Sequence, residues 1–406
     1  MRVAFISVSD QSGGSEAMLL QTAAELGRSH PDWDRQLLLP GPGPLGAAAR
    51  DLGIGVTVLP MPASLARLGE SGLGRATRGG AAVRLLRAAL DLPAFERRLR
   101  GVLSRLRPDV VHSNGFKAHI LAARVRGAAP GLVWHMHEYI GGRPLTTRLL
   151  RRHAARCSVV VANSESVAAD VRAILGPQAD VRVIYNAVDL ARFDPLGAAA
   201  DLDALSGLEP AAAGTVRVGL VATFSRWKGH DTFFRALALL PPSVRVRAYV
   251  VGGALYDTAG SQYSLEELRG LAAAHGVAGR VGFTGFVTDA DRVMRALDVV
   301  VHASTTPEPF GLVIAEGMAC GRAVITSAAG GAAELVRDGQ DALTHTSGDA
   351  AGLAAAIRVL AEDAPLRQRL GQDAHLVAMR RFDARRLAAQ FADVYAAAAA
   401  PRGLQR

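Results

Sequence analysis

The chain is predicted to be an α/β protein of two parallel-sheet domains, and three observations carry that expectation. Short β-branched runs alternate with helical stretches of roughly 10–15 residues from end to end, the order that builds parallel strands with crossover helices. A length of 406 residues is too great for one ordinary core and suits two domains of about 150–200 residues each. Between the two series, the segment 189–214 is rich in Ala, Gly, Asp and Pro and holds no clear strand.

Strands of the first domain are expected at 3–8, 36–39, 56–59, 110–112, 132–135, 158–162 and 181–185. Those of the second are expected at 216–222, 245–251, 281–284, 298–302 and 323–326. This places a first domain over 1–190, a linker over 191–214 and a second domain over 215–383. The remaining segment, 384–406, carries a helical stretch at 384–399 that is expected to pack back across the linker onto the first domain. Ligands of open α/β sheets bind outside the carboxyl ends of the strands. Two such domains facing one another would enclose a cleft, and the motifs that follow all fall at strand ends.

Cys157 and Cys320 are the two cysteines, far apart and without metal-ligand spacing, which points to a reducing cytoplasm and no disulfide framework. The start, Met1-Arg2-Val3-Ala4-Phe5-Ile6, reads as a short strand rather than a signal peptide, because its apolar run stops at Ser7. No window approaches the roughly 18–20 consecutive apolar residues of a membrane span. The protein is therefore expected in the cytoplasm, attached at most to the inner face of the plasma membrane. The charge is lopsided. Through Phe193 there are 25 Lys+Arg against 15 Asp+Glu, a net of +10, and the remainder carries 21 against 22, a net of −1. Lysine occurs at Lys117 and Lys228 alone; with the abundant Ala and Gly, the arginine bias suggests a GC-rich bacterial genome.

The most informative stretch is Glu308-Pro309-Phe310-Gly311-Leu312-Val313-Ile314-Ala315-Glu316. It sets two carboxylates eight residues apart around a Pro-Phe-Gly turn that follows the apolar strand near 298–303. Where such a turn runs into a helix at Gly311 and Leu312, unpaired backbone N–H groups create a site for phosphate. The two acids are then placed to hold the hydroxyls of whatever that phosphate carries. A nucleotide-sugar combines those parts. Upstream, Phe224-Ser225-Arg226-Trp227-Lys228-Gly229-His230 follows the strand at 216–222, and Arg226 with Lys228 would neutralise a departing diphosphate. Gly252 and Gly253 end the strand at 245–251 and let a ligand approach the backbone closely. In Phe283-Thr284-Gly285-Phe286-Val287 the backbone at Phe286 is placed to pair with a base edge, although a plain core strand has the same pattern. His302-Ala303-Ser304 leads into the acidic motif and would orient it.

In the first domain, Gln11-Ser12-Gly13-Gly14-Ser15-Glu16 joins the first strand to the first helix, and Gly13 and Gly14 would let substrate lie against its amides. His135-Met136-His137-Glu138 ends a strand; no third ligand lies nearby, so a sugar hydroxyl suits His137 better than a metal. Asn163 and Asn186 also end strands and read equally well as Asx turns. Two motifs are decoys. Gly41-Pro42-Gly43-Pro44-Leu45-Gly46 matches the dinucleotide fingerprint, but its prolines remove donors a pyrophosphate needs and no acid ends the next strand. Asp201-Leu202-Asp203 has metal-site spacing but sits in the linker with no strand before it.

Taken together these residues resemble family 4 of the glycosyltransferases, the large retaining family with the GT-B fold. The resemblance covers nearly the whole chain: Gly-Gly-x-Glu at 13–16, His137, Asn-x-Val-Asp at 186–189, Arg-x-Lys-Gly at 226–229 and Glu-Pro-Phe-Gly-x4-Glu at 308–316. It implies that Arg226 and Lys228 bind the donor diphosphate and that Glu308 contacts the transferred sugar. Phe310 and Gly311 would offer backbone contacts, Glu316 would hold the ribose hydroxyls, and Gly13, Gly14 and His137 would meet the donor from across the cleft. Many members have Gly where this chain has Ala187. The implied reaction is retaining transfer without metal or other cofactor, from a UDP- or GDP-sugar to a saccharide or lipid-linked acceptor of the cell envelope or an exopolysaccharide.

The basic first half suggests a further partner. Ten arginines lie within 67–107, where Phe95, Leu99, Val102, Leu103 and Leu106 form an apolar stripe with Arg97, Arg98 and Arg105 largely off it. A second basic stretch, 143–156, carries five arginines beside Leu145, Leu149 and Leu150. Such faces attract anionic lipid, at about 1 kcal/mol per basic residue, and solvated arginine faces look the same. A nucleotide-sugar epimerase of the same fold is an alternative, but no acid/base set for its chemistry is evident. Nucleic acid is not expected as a partner, because aromatics make up only 5% and no recognition motif appears.

Overall fold

A computed structural model of the chain describes residues 1–11, 13–66, 78–125, 127, 131–254 and 260–400; at 78–82 and 84 the backbone alone is described. The chain divides into two compact units, Met1–Asn186 with Ala384–Arg406, and Ala187–Asp383.

The first unit is built on a parallel sheet of β1 (Arg2–Ser7), β2 (Asp34–Leu39), β3 (Gly55–Val58), β4 (Val110–Asn114), β5 (Gly131–Met136), β6 (Val159–Ala162) and β7 (Val181–Val183). Its order is β3-β2-β1-β4-β5-β6-β7, so the chain reverses direction across the sheet between β1 and β4. The second unit contains β8 (Val216–Val221), β9 (Val246–Val251), β10 (Val281–Gly285), β11 (Val299–His302), β12 (Ala323–Ser327) and β13 (Leu343–His345). Its order is β10-β9-β8-β11-β12-β13, with the same kind of reversal between β8 and β11. Every strand expected from the sequence forms within two residues of its expected ends. The strand that the sequence concealed is β13. Three residues between turns show no period, and β13 exists because β12 pairs with it from Ile325↔Leu343 to Ser327↔His345.

The central strands are valine-rich runs because helices cover both faces of a parallel sheet. All residues of β4, β5, β11 and β12 are buried. In the first unit Phe95, Leu99, Val102 and Leu103 turn inward against the sheet, as the apolar stripe requires, and Arg97, Arg98 and Arg105 are exposed. Of the ten arginines in that region, Arg67 and Arg75 lie outside the described residues.

The segment expected as a linker, 191–214, packs on the second unit. Asp201 caps the short helix Leu202–Leu205 by accepting from the Ala204 N–H. Asp203 is buried beneath it, 2.7 Å from the Arg247 guanidinium and 2.6 Å from the Tyr249 hydroxyl. The Asp-x-Asp spacing therefore encodes a cap and a buried anchor. The last helix, Arg386–Ala399, belongs to the first unit, where Leu387, Phe391, Val394 and Tyr395 bury one helical face against the sheet.

Candidate functional site

In the second unit the site grows from two adjacent strands. β8 and β11 pair in parallel, so the loops leaving their carboxyl ends lie side by side. The loop after β8 winds one 3-10 turn over Arg226–Lys228 and then bends at Gly229, with φ of 79°. A Cβ at residue 229 would lie 1.9 Å from the Ala303 carbonyl oxygen, so glycine alone lets this loop rest on the end of β11. The Thr305 N–H donates to the Trp227 carbonyl at 2.8 Å and ties the two loops together.

This docking brings Lys228 onto Glu308. Lys228 Nζ lies 2.8 Å from Glu308 Oε2 and 4.0 Å from the centre of the Trp227 ring. The Ser304 hydroxyl donates to the same carboxylate oxygen at 2.8 Å, and His302 Nε2 lies 3.0 Å from it. Glu308 is 7% exposed. Burial by itself pushes its carboxyl upward, but the Lys228 charge and the His302 contact outweigh it and hold the group well below the usual carboxylate range. A carboxylate accepts and cannot donate, so the His302 ring proton facing it sits on Nε2. The Thr326 hydroxyl lies 2.9 Å from Nδ1 on the ring's other side. The main chain fixes Glu308 too: its N–H donates to the Ala329 carbonyl at 3.2 Å, and its carbonyl accepts from Gly331 at 2.7 Å.

Beyond Glu308 the chain turns through Phe310, whose buried ring meets Phe382 edge-on at 6.0 Å. Gly311 caps the helix Leu312–Ala319, and its first turn holds no acidic residue. The amides at Leu312 and Val313 therefore present the positive end of that helix. Glu316 lies further along it and is half-buried. Its surroundings push its carboxyl up to about 7 through burial, opposed by Arg192 and reinforced by Asp291.

Arg226 and Lys228 pair with different acids, Glu267 and Glu308. Arg226 is exposed and donates to the Gly260 carbonyl at 3.1 Å and to Glu267 at 3.0 Å, with its guanidinium 4.2 Å from the centre of the Tyr263 ring. An exposed ion pair of that kind is screened by water and weak enough for an arriving anion to displace. Gly252 has φ of 146°, and a Cβ there would lie 1.9 Å from the Ala222 carbonyl oxygen; its N–H donates to Gly285 at 3.0 Å. Its smallness is thus already required by the close approach of the ends of β8, β9 and β10. Phe286, just beyond, is 59% exposed.

In the first unit, Gly13 caps the helix Gly14–Ser29 in extended backbone, and the space where a side chain at Gly14 would point is open. His137 follows β5, with Nε2 2.7 Å from Asn114 Oδ1 and Nδ1 buried without a partner among the described residues. Burial pushes its pKa down to about 4. Asn163 donates to the His137 carbonyl at 3.4 Å, and the Asn186 carbonyl accepts from Arg386 at 2.6 Å. Among the described residues no group of three or more His, Cys, Asp or Glu is placed to hold a metal ion. The fingerprint at 41–46 lies on Asp10, whose carboxylate and carbonyl occupy the space that side chains at Gly41 and Gly43 would need. Thr326 and Asn114 escaped the sequence reading; each stands at or next to the end of a strand beside a histidine, which is the signal that was available.

Comparison with known proteins agrees across both units. The family model described as Glycosyl transferases group 1 matches residues 210–377, and that described as Glycosyltransferase Family 4 matches residues 45–192. The chain is 30% identical to the lipopolysaccharide core biosynthesis glycosyltransferase LpsE of Rhizobium meliloti (strain 1021), over 71% of this chain and 75% of that protein. It is 30% identical to the glycogen synthase of Mycobacterium tuberculosis (strain ATCC 25618 / H37Rv), over 72% of this chain and 69% of that one. Its structure resembles that of Anabaena Alr3699/HepE in complex with UDP-glucose, with a TM-score of 0.78 and 27% identity over 98% of this chain and 99% of the other. With two Rossmann-like parallel sheets and these relatives, the chain is a glycosyltransferase of the GT-B fold and belongs to glycosyltransferase family 4.

Proposed function

We propose that this glycosyltransferase is a retaining, metal-independent hexosyltransferase. It takes a sugar from UDP or GDP and passes it to a saccharide or lipid-linked acceptor in cell-envelope or exopolysaccharide synthesis. The observation that supports this most is the 2.8 Å contact between Lys228 and Glu308 at neighbouring strand ends, beside the helix start at Gly311. An anionic leaving group and a polyhydroxylated group joined to it match a cation, a helix N-terminus and a carboxylate set side by side.

In this mechanism the bond between the anomeric carbon and the diphosphate oxygen breaks as the acceptor oxygen bonds to the same face of that carbon. The acceptor proton passes to the departing phosphate oxygen. Lys228, the amides at Leu312 and Val313, and Arg226 once released from Glu267 stabilise the charge that grows on the diphosphate. Glu308 accepts from a sugar hydroxyl and Glu316 from the ribose, while Phe310 and Gly252 offer backbone and Phe286 lies beside the base. His137, Gly13 and Gly14 in the first unit are assigned to sugar contacts. That HepE was crystallised with UDP-glucose, and that LpsE is named for lipopolysaccharide core biosynthesis, supports a nucleotide-sugar donor and a saccharide acceptor. The test is transfer from α-linked UDP- and GDP-sugars in EDTA, with the product's anomeric proton read by NMR. An α-linked product is expected; a β-linked product, or activity abolished by EDTA, overturns the assignment.

We infer a membrane-surface location for the first unit, where a lipid-linked acceptor would lie. Among the described residues no helix is long and apolar enough to cross a membrane. Yet Leu85, Leu86 and Leu90 on the helix Arg78–Leu106 are 54%, 62% and 70% exposed, and Leu145 on Pro144–His153 is 73% exposed. Exposed leucines among arginines suit an anionic lipid surface, where each basic residue contributes about 1 kcal/mol. Co-sedimentation with anionic vesicles that weakens with salt is expected; no binding at low or physiological salt removes the idea.

A further inference from the structure

The first unit contains a row of histidines of which glycosyl transfer, as described so far, uses His137 and leaves His112 and His135 without a role. Tyr395 on the last helix places its hydroxyl 2.7 Å from His112 Nδ1. His112 Nε2 lies 3.2 Å from His135 Nδ1, and the His135 and His137 rings are centred 4.0 Å apart. Tyr395 and His112 have no exposure, and His135 is 2% exposed. All of these residues lie within one compact unit.

The direction of each hydrogen bond follows from acid–base chemistry. Burial raises the Tyr395 hydroxyl well above its ordinary value, so it keeps its proton, and burial pushes His112 down to about 3, so its ring carries one proton. A phenol is the better donor and an imidazole nitrogen the better acceptor, so Tyr395 donates to Nδ1 of His112. The His112 proton must then sit on Nε2, from which it is donated to Nδ1 of His135. His135, held far below its ordinary pKa by burial and its neighbours, therefore carries its own proton on Nε2. Across from it, His137 donates from Nε2 to Asn114 Oδ1, which leaves His137 Nδ1 as an acceptor. Among the described residues His135 Nε2 and His137 Nδ1 are both buried without a partner. One is a donor and the other an acceptor, the polarity that a single hydroxyl complements. Reversing His135 would set two acceptors side by side and turn that complement away.

We propose that Tyr395 is a positioning residue for glycosyl transfer: through His112 it holds the proton of His135 on Nε2, so that His135 and His137 offer a donor and an acceptor to one sugar hydroxyl. The proposal rests on the assignment of His137 to a sugar contact made above. It gives the last helix a chemical role in addition to its packing on the sheet.

The test uses the full chain labelled with 15N in histidine. Long-range 1H–15N spectra report which ring nitrogen carries the proton, and Nε2–H is expected for His112, His135 and His137. Tyr395→Phe removes the hydroxyl and keeps the ring. It is expected to send His112 and His135 into mixed tautomers and to lower kcat about tenfold with the donor KM nearly unchanged. Phe391→Leu, which loosens packing beside His112 without touching the hydroxyl, is expected to lower Tm and leave the tautomers as they were. A wild-type His135 protonated on Nδ1, or tautomers unmoved in Tyr395→Phe, overturns the relay. Tautomers that move while kcat stays constant overturn the positioning role and leave glycosyl transfer standing. If no nucleotide-sugar is turned over by the wild type, the assignment of His137 and the positioning role fall together, and the spectra still decide the relay.

Discussion

Lys228 Nζ lies 2.8 Å from Glu308 Oε2, a contact between residues 80 positions apart in the chain. Both side chains are largely buried, and Ser304 and His302 meet the same carboxylate oxygen. The carboxylate is thus kept ionised in a place where burial alone would neutralise it. In the proposed reaction Lys228 is then shared between a carboxylate that is always present and a diphosphate that arrives with the donor.

Replacing Lys228 with alanine tests that division of labour. Charge on the diphosphate grows as the glycosidic bond breaks, so the lysine acts more strongly on the transition state than on the bound donor. Lys228→Ala is expected to lower kcat by about 10²–10³ with a smaller change in donor KM. Steady-state kinetics decide it: unchanged kcat with a raised KM would mean that Lys228 serves binding alone.

Gly229→Ala probes the docking of the two loops. The added Cβ would meet the Ala303 carbonyl at 1.9 Å, and the backbone φ of 79° disfavours any other residue. The loop must shift, which carries Lys228 away from Glu308. Tm is expected to fall by about 4 °C or more, from a cost of at least 1–2 kcal/mol, and kcat should fall with it. A variant with wild-type Tm and kcat would show that the loop is not held against β11.

Glu316 makes stability depend on pH. Its folded pKa is raised from 4.5 to about 7, so the folded state binds its proton more tightly than the unfolded chain does. Below pH 4.5 both states are protonated and there is no penalty. As pH rises toward 7 the unfolded state gains by ionising first, and stability declines by on the order of 3 kcal/mol. Glu316→Gln is expected to flatten this part of the profile in urea unfolding measured from pH 4.5 to 7. The same slope in both proteins would refute the shift. If Glu316 holds the ribose as proposed, donor KM should also rise in the variant, by about tenfold near pH 8 where the carboxylate is ionised and by less near pH 6.

Ser304→Ala removes one of the donors that keep Glu308 charged. Glu308 is depressed in the folded state, so its contribution to stability is present above about pH 4.5, the unfolded value, and is lost as pH falls through the folded value. With one donor gone the folded value lies higher, so the loss still sets in near the unfolded value but is smaller and is complete at higher pH, and stability at pH 7 should fall by about 1–3 kcal/mol. Acid titration of folding, followed by circular dichroism, compares the two. Coincident curves would mean that the hydroxyl contributes nothing to the carboxylate.

The motifs at 226–229 and 308–316 were legible because their spacing is local. Pro309 and Gly311 turn the chain, an apolar strand precedes them and a helix follows. Partners brought in by other strands left no such trace. Thr326 reaches His302 because β11 and β12 pair at His302↔Thr326, and nothing in the residues around 326 announces that register. Asn114 stands level with His135 for the same reason, from the pairing of β4 with β5. Arg226 shows the converse: sequence set it beside Lys228, and its pairing with Glu267 became visible only when the helix Leu265–Ala274 took its place.

By itself the sequence determined the alternation of strand and helix, the two-sheet architecture and the residues at strand ends that carry charge, because hydrophobic period and turn chemistry act over a few residues. Tertiary structure decided which of those charges meet. It also decided that the Ala303 carbonyl excludes any side chain at 229, and that Tyr395 reaches His112 from the far end of the chain. Contacts between distant segments depend on strand order and helix packing, and those follow from burying the whole core at once.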